Sequence, residues 1–371
     1  MIYLFIICIP VFLMFLSDYS RGLLSALLVV FAIIIPCFFA GVRDKTVGTD
    51  VMTYAYWTYY AAKGSTLASF LSAYAGISAV GFNVVSWILA QFGTFSTYLG
   101  VLQLLVIAPF FLYSKKIFPR TSWVAAAVYM FLLFPASLNL MKQMIAVALC
   151  VPTFELVRRE KPITFCIFVM AIALLFHQTA IVALVYYPAV GAINSIGSQS
   201  AFFGKAQGMA VATITCLLFF LAFEFGNIIV STLSILKESY SYQANAAGTR
   251  LNYSALVLAA GTIVVYRMCR PKYDERTTNY FDSRVLGLIA IVGALAVQVN
   301  IVAMSLMRFS YYALSFLPLF GSSLAVEANG RRGLVGAFAL VCLCAAYFYQ
   351  AYVLNGGNHI FPYTSAVLGI C

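Results

Sequence analysis

Residues 22–54 read GLLSALLVVFAIIIPCFFAGVRDKTVGTDVMTY, and this stretch decides the fold class. From Gly22 to Gly41 no side chain carries a charge, and roughly 20 apolar residues suffice to cross the hydrocarbon of a bilayer. Arg43, Asp44, Lys45 and Asp50 then follow within eight positions. Only 9% of the chain is charged, so four ionisable groups together at the end of an apolar helix form a conspicuous cluster. Charges at membrane depth or at its edge are costly and mark functional sites by default. A solvated turn between two spans is the alternative reading of the same residues.

The rest of the chain repeats the pattern of residues 22–41. Hydrophobic residues make up 63% of it and its mean hydropathy is +0.97, against roughly half apolar content in soluble domains. Further apolar runs lie near residues 2–16, 77–93, 97–114, 121–136, 139–157, 163–176, 178–192, 209–226, 251–266, 285–306, 309–326 and 333–353. The expected fold is all-α, a polytopic integral membrane protein with about 12–13 transmembrane or re-entrant helices. It is expected to form a single membrane domain over residues 1–371, because no stretch between spans is long enough for a soluble domain. The run from Met1 to Leu16 lacks a basic leader and a small-residue cleavage site, and reads as a retained span.

Net charge is +11, carried mostly by short loops. In a membrane protein such loops report orientation, and no nucleic-acid partner is inferred from them. Lys115, Lys116 and Arg120 form one basic loop, and Arg158, Arg159 and Lys161 a second. Arg267, Arg270, Lys272, Arg276 and Arg284 form a third, and Arg331 with Arg332 the last. The positive-inside rule assigns all four to the cytoplasm. Asn139–Lys142, His177, the 227–250 loop, Arg308 and the tail from Asn355 then share the outer face. Counting spans backwards from Lys115 puts the Arg43–Tyr54 segment inside, unless 66–93 is interfacial or re-entrant, in which case it returns to the outer face.

Nine cysteines sit almost wholly inside apolar runs, without a Cys-x-x-Cys, and there are two histidines. Neither a disulfide framework nor a metal site is expected, and no cofactor motif is present.

Few ionisable groups remain as carriers of chemistry on the outer face. Lys142 opens a helix in Asn-Leu-Met-Lys-Gln-Met. A cation there opposes the helix dipole, yet with the helix N–H groups it makes an anion site; the alternative is a snorkelling lysine. His177, in Leu-Leu-Phe-His-Gln-Thr-Ala, is either a hydrogen-bonded helix end or a general base. Arg308, in Met-Arg-Phe-Ser-Tyr-Tyr, has no acidic neighbour in sequence and suits a phosphate. Arg250 opens the following span and is a candidate for positioning substrate. Tyr54, Tyr56, Trp57, Tyr59 and Tyr60 suit either sugar stacking or an interfacial belt. Asp44, between Arg43 and Lys45, is expected to be ion-paired, which leaves Asp50 as the free carboxylate of the segment.

Taken in order, these residues resemble the EpsG/Wzy-like polysaccharide polymerase family. Arg43, Gly48-Thr49-Asp50 and Tyr54 resemble its opening signature. Lys142-Gln143 before Ile-Ala-Val-Ala resembles its Arg-Gln-x-x-Ala helix start, and Phe176-His177-Gln178-Thr179-Ala180 its Phe-His-x-Ser-Ala. Arg308-Phe309 with Tyr311-Tyr312 resembles its Arg-Phe-x-Tyr-Tyr, and Pro362-Tyr363 its late Pro-Tyr. Lys142 departs from the family's arginine, keeping the charge but losing the planar fork, and Thr179 replaces a serine.

The resemblance implies a bacterial inner-membrane enzyme that joins undecaprenyl-pyrophosphate-linked oligosaccharide repeats of O-antigen or a related surface polysaccharide. The growing chain moves to a sugar hydroxyl of the next lipid-linked unit at the periplasmic face, without a metal or other cofactor. Expected partners are membrane lipid, the lipid-linked oligosaccharide, and a chain-length regulator and flippase of the same pathway. Site residues follow as His177 (base) and Asp50 (orienting partner), with Arg43, Lys142, Gln143, Arg250, Arg308, Tyr54, Tyr311 and Tyr363 binding the substrate or its pyrophosphate. An O-antigen ligase or other lipid-linked-sugar transferase is the alternative. A flippase or transporter fits less well, since it calls for cations or carboxylates inside the spans, where only Glu155 and Glu224 come close.

Overall fold

The computed structural model describes residues 2–74, 79–197, 251–269, 283–301, 307–327 and 331–370. Helices account for nearly all regular structure, and no strand is formed among the described residues. Four helical segments there are long and apolar enough to cross a membrane: Ile2–Tyr19, Gly22–Val42, Phe95–Ile117 and Arg331–Leu354. We label α1 (Ile2–Tyr19), α2 (Gly22–Val42), α3 (Tyr56–Lys63), α4 (Leu67–Ala73), α5 (Val80–Phe92) and α6 (Phe95–Ile117). There follow α7 (Ser122–Leu132), α8 (Phe134–Asn139), α9 (Met141–Arg158), α10 (Pro162–Leu175) and α11 (Tyr186–Gly197). The last are α12 (Tyr253–Cys269), α13 (Ser283–Ala296), α14 (Ser310–Leu314), α15 (Leu317–Glu327) and α16 (Arg331–Phe348). The span at 209–226 with Glu224, the 227–250 loop with Arg250, and Arg270, Lys272 and Arg276 lie outside the described residues.

Polar contacts fix which helix ends share a face. At one end the buried Asp18 carboxylate takes Lys115 Nζ at 2.6 Å, the Ser122 hydroxyl at 2.6 Å and the Trp123 N–H at 3.0 Å. This joins the end of α1, the end of α6 and the start of α7. A buried carboxylate is tolerated only when so paired and hydrogen-bonded. The Thr121 hydroxyl donates to the Ser322 carbonyl and the Cys269 thiol faces the Arg332 carbonyl, so α12, α15 and α16 turn at that same end. Glu155 pairs there with Arg158 and Arg159. The described basic loops therefore gather at one end of the bundle.

Gly41 marks the opposite end. A Cβ on it would come within 2.7 Å of the Ser96 carbonyl oxygen, so only glycine lets the end of α2 press on the start of α6. Residues 43–92 thus leave α2 and return to α6 at the same end, without a net crossing. The 13 residues of α5 reach only about 20 Å, against roughly 30 Å of hydrocarbon. The span expected at 77–93 is replaced by this short helix behind the still shorter α4, which places the Arg43–Tyr54 segment at the end away from Lys115. The run read as one span at 121–136 breaks after Leu132 and resumes in α8, with Pro135 in the first turn, where a missing N–H costs no helix bond.

Candidate functional site

Residues 43–55 form a turn followed by one π-helical turn, Val51–Ala55, that feeds α3. Gly48 has φ +97°, and a Cβ there would stand 3.0 Å from the Leu138 carbonyl oxygen; glycine is required on both counts. Its N–H donates to the His359 carbonyl at 3.1 Å. Asn139, buried at the end of α8, clamps the turn. Its Oδ1 accepts the Asp50 N–H at 2.7 Å and the Thr49 hydroxyl at 3.1 Å, while its Nδ2 donates to Asn358 Oδ1 at 3.2 Å. Asp50 is thereby held from both sides of the sequence.

Asp50 opens onto a cavity of about 160 Å³ that Tyr54, Lys142, Gln143, His177 and Arg308 also line, with Thr58, Phe82 and Asn139. Five segments scattered along the sequence converge here. Lys142, in the first turn of α9, holds its ammonium 4.7 Å from the centre of the Phe82 ring, a cation–π distance. Gln143 Nε2 donates to the Arg308 carbonyl at 2.6 Å and so fixes the chain before α14 against α9. Gln143 Oε1 is buried and has no hydrogen-bond partner among the described residues. His177 caps the 3₁₀ segment Gln178–Val185, with Nδ1 2.7 Å from the Thr179 hydroxyl.

The charge balance of the cavity is uneven. Among the described residues neither Lys142 nor Arg308 forms an ion pair, and neither does Asp50, although both cations act on it. Burial pushes the Asp50 carboxyl above its ordinary pKa, and Arg308 and then Lys142 pull it back only in part. Two cations outside any ion pair among the described residues can take an anion, and a half-buried carboxylate with a raised pKa holds a proton more readily than a free one.

The other expected site residues lie elsewhere. Arg43 is buried outside the cavity, where it donates from Nη1 to the Ala40 carbonyl and from Nη2 to the Leu138 carbonyl, each at 2.8 Å. Tyr363, also buried, donates to the Phe39 carbonyl at 2.8 Å. Tyr311 is buried next to Arg308 without lining the cavity. Arg250 lies outside the described residues. Asp44 forms no ion pair among the described residues, contrary to expectation, and accepts the Ala366 N–H at 2.9 Å instead. Residues that the sequence did not mark as site residues are Asn139, Thr58 and Phe82, which are uncharged and carry no spacing signal; Tyr312 stands in a motif without an assigned role.

A family model described as the EpsG family matches residues 26–365, nearly the whole chain. The chain belongs to the EpsG family. EpsG proteins are Wzy-like polymerases associated with bacterial membranes, so membership supports a polymerase or related glycosyl-transfer role on lipid-linked sugars. Neither curated proteins nor solved structures gave a match. The placement of charge in this EpsG-family chain agrees with that role. Lys142 and Arg308 stand at helix ends facing one cavity, and Glu155, a candidate intramembrane carboxylate, is paired with arginines at the basic end.

Proposed function

We propose that this chain polymerises oligosaccharide repeat units carried on undecaprenyl pyrophosphate, transferring the growing glycan to a sugar hydroxyl of the next lipid-linked unit. The observation that carries the reading is the pair Lys142 and Arg308, neither in an ion pair among the described residues, beside Asp50 in one cavity. Glycosyl transfer from a pyrophosphate carrier builds negative charge on the departing oxygen. Fixed cations aimed at that charge are the largest single source of rate in such sites, and here they come from side chains. Arg308 offers two parallel donors, whereas Lys142 acts as a point charge. Tyr54, exposed at the rim, offers an aromatic face to a sugar ring. With the basic loops in the cytoplasm, the cavity opens on the periplasmic face of a bacterial inner membrane, where a flippase would deliver the substrate and a chain-length regulator would act on the product.

The decisive experiment is the surface-polysaccharide profile of a deletion strain complemented with the wild-type gene. Collapse of the ladder to a single repeat on the lipid core, restored by complementation, supports the polymerase. Loss of all repeats would instead indicate a ligase or flippase.

A further inference from the structure

We infer that Thr179 and Tyr312 lock His177 in the tautomer that carries its proton on Nε2, so that His177 serves the cavity as a hydrogen-bond donor and Asp50 takes the proton of the acceptor hydroxyl. The inference deepens the glycosyl-transfer reading above and rests on it. Its foundation is the direction of a chain of hydrogen bonds. The Thr179 N–H donates to His177 Nδ1 at 3.3 Å, the side-chain cap of the 3₁₀ segment. An amide N–H has only a proton to offer, so Nδ1 must present its lone pair. The Thr179 hydroxyl, 2.7 Å from the same nitrogen, then donates to it as well. That leaves the Thr179 oxygen to accept from the Tyr312 hydroxyl at 3.0 Å. Tyr312 is fully buried, and its own carbonyl is held by the Tyr186 hydroxyl at 2.8 Å. Every link points the same way, from Tyr312 through Thr179 to Nδ1.

A neutral imidazole has one proton, and with Nδ1 accepting, that proton is on Nε2. A base needs a lone pair where the substrate is, and in this tautomer the ring has its lone pair on the Thr179 side. Asp50 is the other proton acceptor among the described cavity residues, and burial keeps its carboxyl above the ordinary range. The step balances as follows. The acceptor O–H bond breaks and its proton goes to Asp50, while the oxygen forms a bond to the anomeric carbon. The bond from that carbon to the pyrophosphate oxygen breaks, and its electron pair leaves with the pyrophosphate against Lys142 and Arg308. Asp50 then returns the proton to water. Thr179 and Tyr312 touch no reacting atom and are positioning residues.

The tautomer is readable without substrate. The chain has two histidines, so a His359→Asn variant, labelled with ¹⁵N-histidine and placed in lipid nanodiscs, gives the His177 ring alone. The expected spectrum has an unprotonated Nδ1 and a protonated Nε2. Thr179→Val, which keeps the weaker backbone N–H contact at 3.3 Å but loses the hydroxyl at 2.7 Å, is expected to retain mainly the same tautomer with a minor Nδ1-protonated form, and Thr179→Ser to remove that minor form. A protonated Nδ1 in the parent would overturn the inference, whatever the activity.

The second arm uses the purified full chain with undecaprenyl-pyrophosphate-linked repeats. Asp50→Asn is expected to lower kcat by about 10²–10⁴-fold with little change in KM, and His177→Gln, which keeps a donor, by about tenfold or less. Lys142 from α9, Arg308, His177 and Tyr54 face the cavity with Asp50, and the Tyr312 hydroxyl faces Thr179. The acid limb of the wild-type pH–rate profile should therefore persist in His177→Gln and vanish in Asp50→Asn. A limb that vanishes in His177→Gln would restore histidine as the base. A wild-type chain that lengthens no lipid-linked glycan would count against the polymerase reading and leave the tautomer result standing.

Discussion

Arg43 and Arg308 are the same residue type, both within the range matched by the family, and they sit in opposite circumstances. Arg43 is buried, and backbone carbonyls from two different elements, at Ala40 and Leu138, take its Nη groups. Arg308 is half-buried at the cavity, with its backbone carbonyl fixed by Gln143 and its guanidinium outside any ion pair among the described residues. A guanidinium that spends its donors on the backbone ties segments together, whereas one left facing a cavity is available to a ligand. The two regions lie near one another at the same end of the bundle, and the difference between them is what their hydrogen bonds are used for.

The largest effect is expected at Arg308. Arg308→Ala should cut polymer formation by about 10²–10³-fold, the cost of one transition-state donor, while insertion and melting temperature in detergent stay near wild type. Arg308→Lys should recover little, since lysine cannot offer two parallel donors. A full-length ladder from the lysine variant would reduce Arg308 to a simple charge.

Arg43 should behave in the reverse manner. In Arg43→Ala the carbonyls of Ala40 and Leu138 lose their donors, at about 1–3 kcal/mol each. The expected result is a lowered melting temperature and reduced membrane abundance, with whatever folded enzyme remains still active. If folded Arg43→Ala were as inactive as Arg308→Ala, the distinction between the two arginines would fail.

A smaller change is expected from Asn139→Ala, which removes the acceptor for the Asp50 N–H and the Thr49 hydroxyl. At about 0.5–1.5 kcal/mol per hydrogen bond, turnover should fall by up to about tenfold through looser placement of Asp50. Asn139→Asp, which keeps an acceptor, should lose less.

The smallest effect is on stability, at Asp50. Its carboxyl pKa is raised in the folded chain by burial, so the native state holds that proton more readily than the unfolded state. The stability this contributes is present in acid and is lost as pH rises through the raised value. Asp50→Asn carries no such cost, so at neutral pH it should melt slightly above wild type, the gap closing at low pH. An inactive but stabilised variant is the usual sign of a functional site that costs stability.

The parts of this arrangement that were legible in the sequence are those that charge makes rare. Asp50, Lys142, His177 and Arg308 stand out because so few ionisable residues occur on the outer face, and they share one cavity. Apolar runs gave the helices, although the break after Leu132 and the shortness of α5 left no mark on hydropathy. Asn139, Phe82 and Thr58 were not legible, because an uncharged side chain shows its role only once its partner from another segment is beside it. The parity of the N-terminal spans was ambiguous for a similar reason. It depends on the close approach of Gly41 to Ser96, and two residues 55 positions apart announce no contact in sequence.

The hydrogen bonds around residues 43–50 set an order of events during synthesis. Asp44 bonds to Thr364 and Ala366, and Gly48 to His359, more than 300 positions later in the sequence. The turn that carries Asp50 leaves the ribosome early and waits for those partners until nearly all the helices have been threaded into the bilayer. Contacts so distant in sequence are slow to form. On this reading the half-made chain has helices in place and no finished catalytic wall, so a truncated product would sit in the membrane as an inert bundle and would not cap glycan chains with a crippled enzyme.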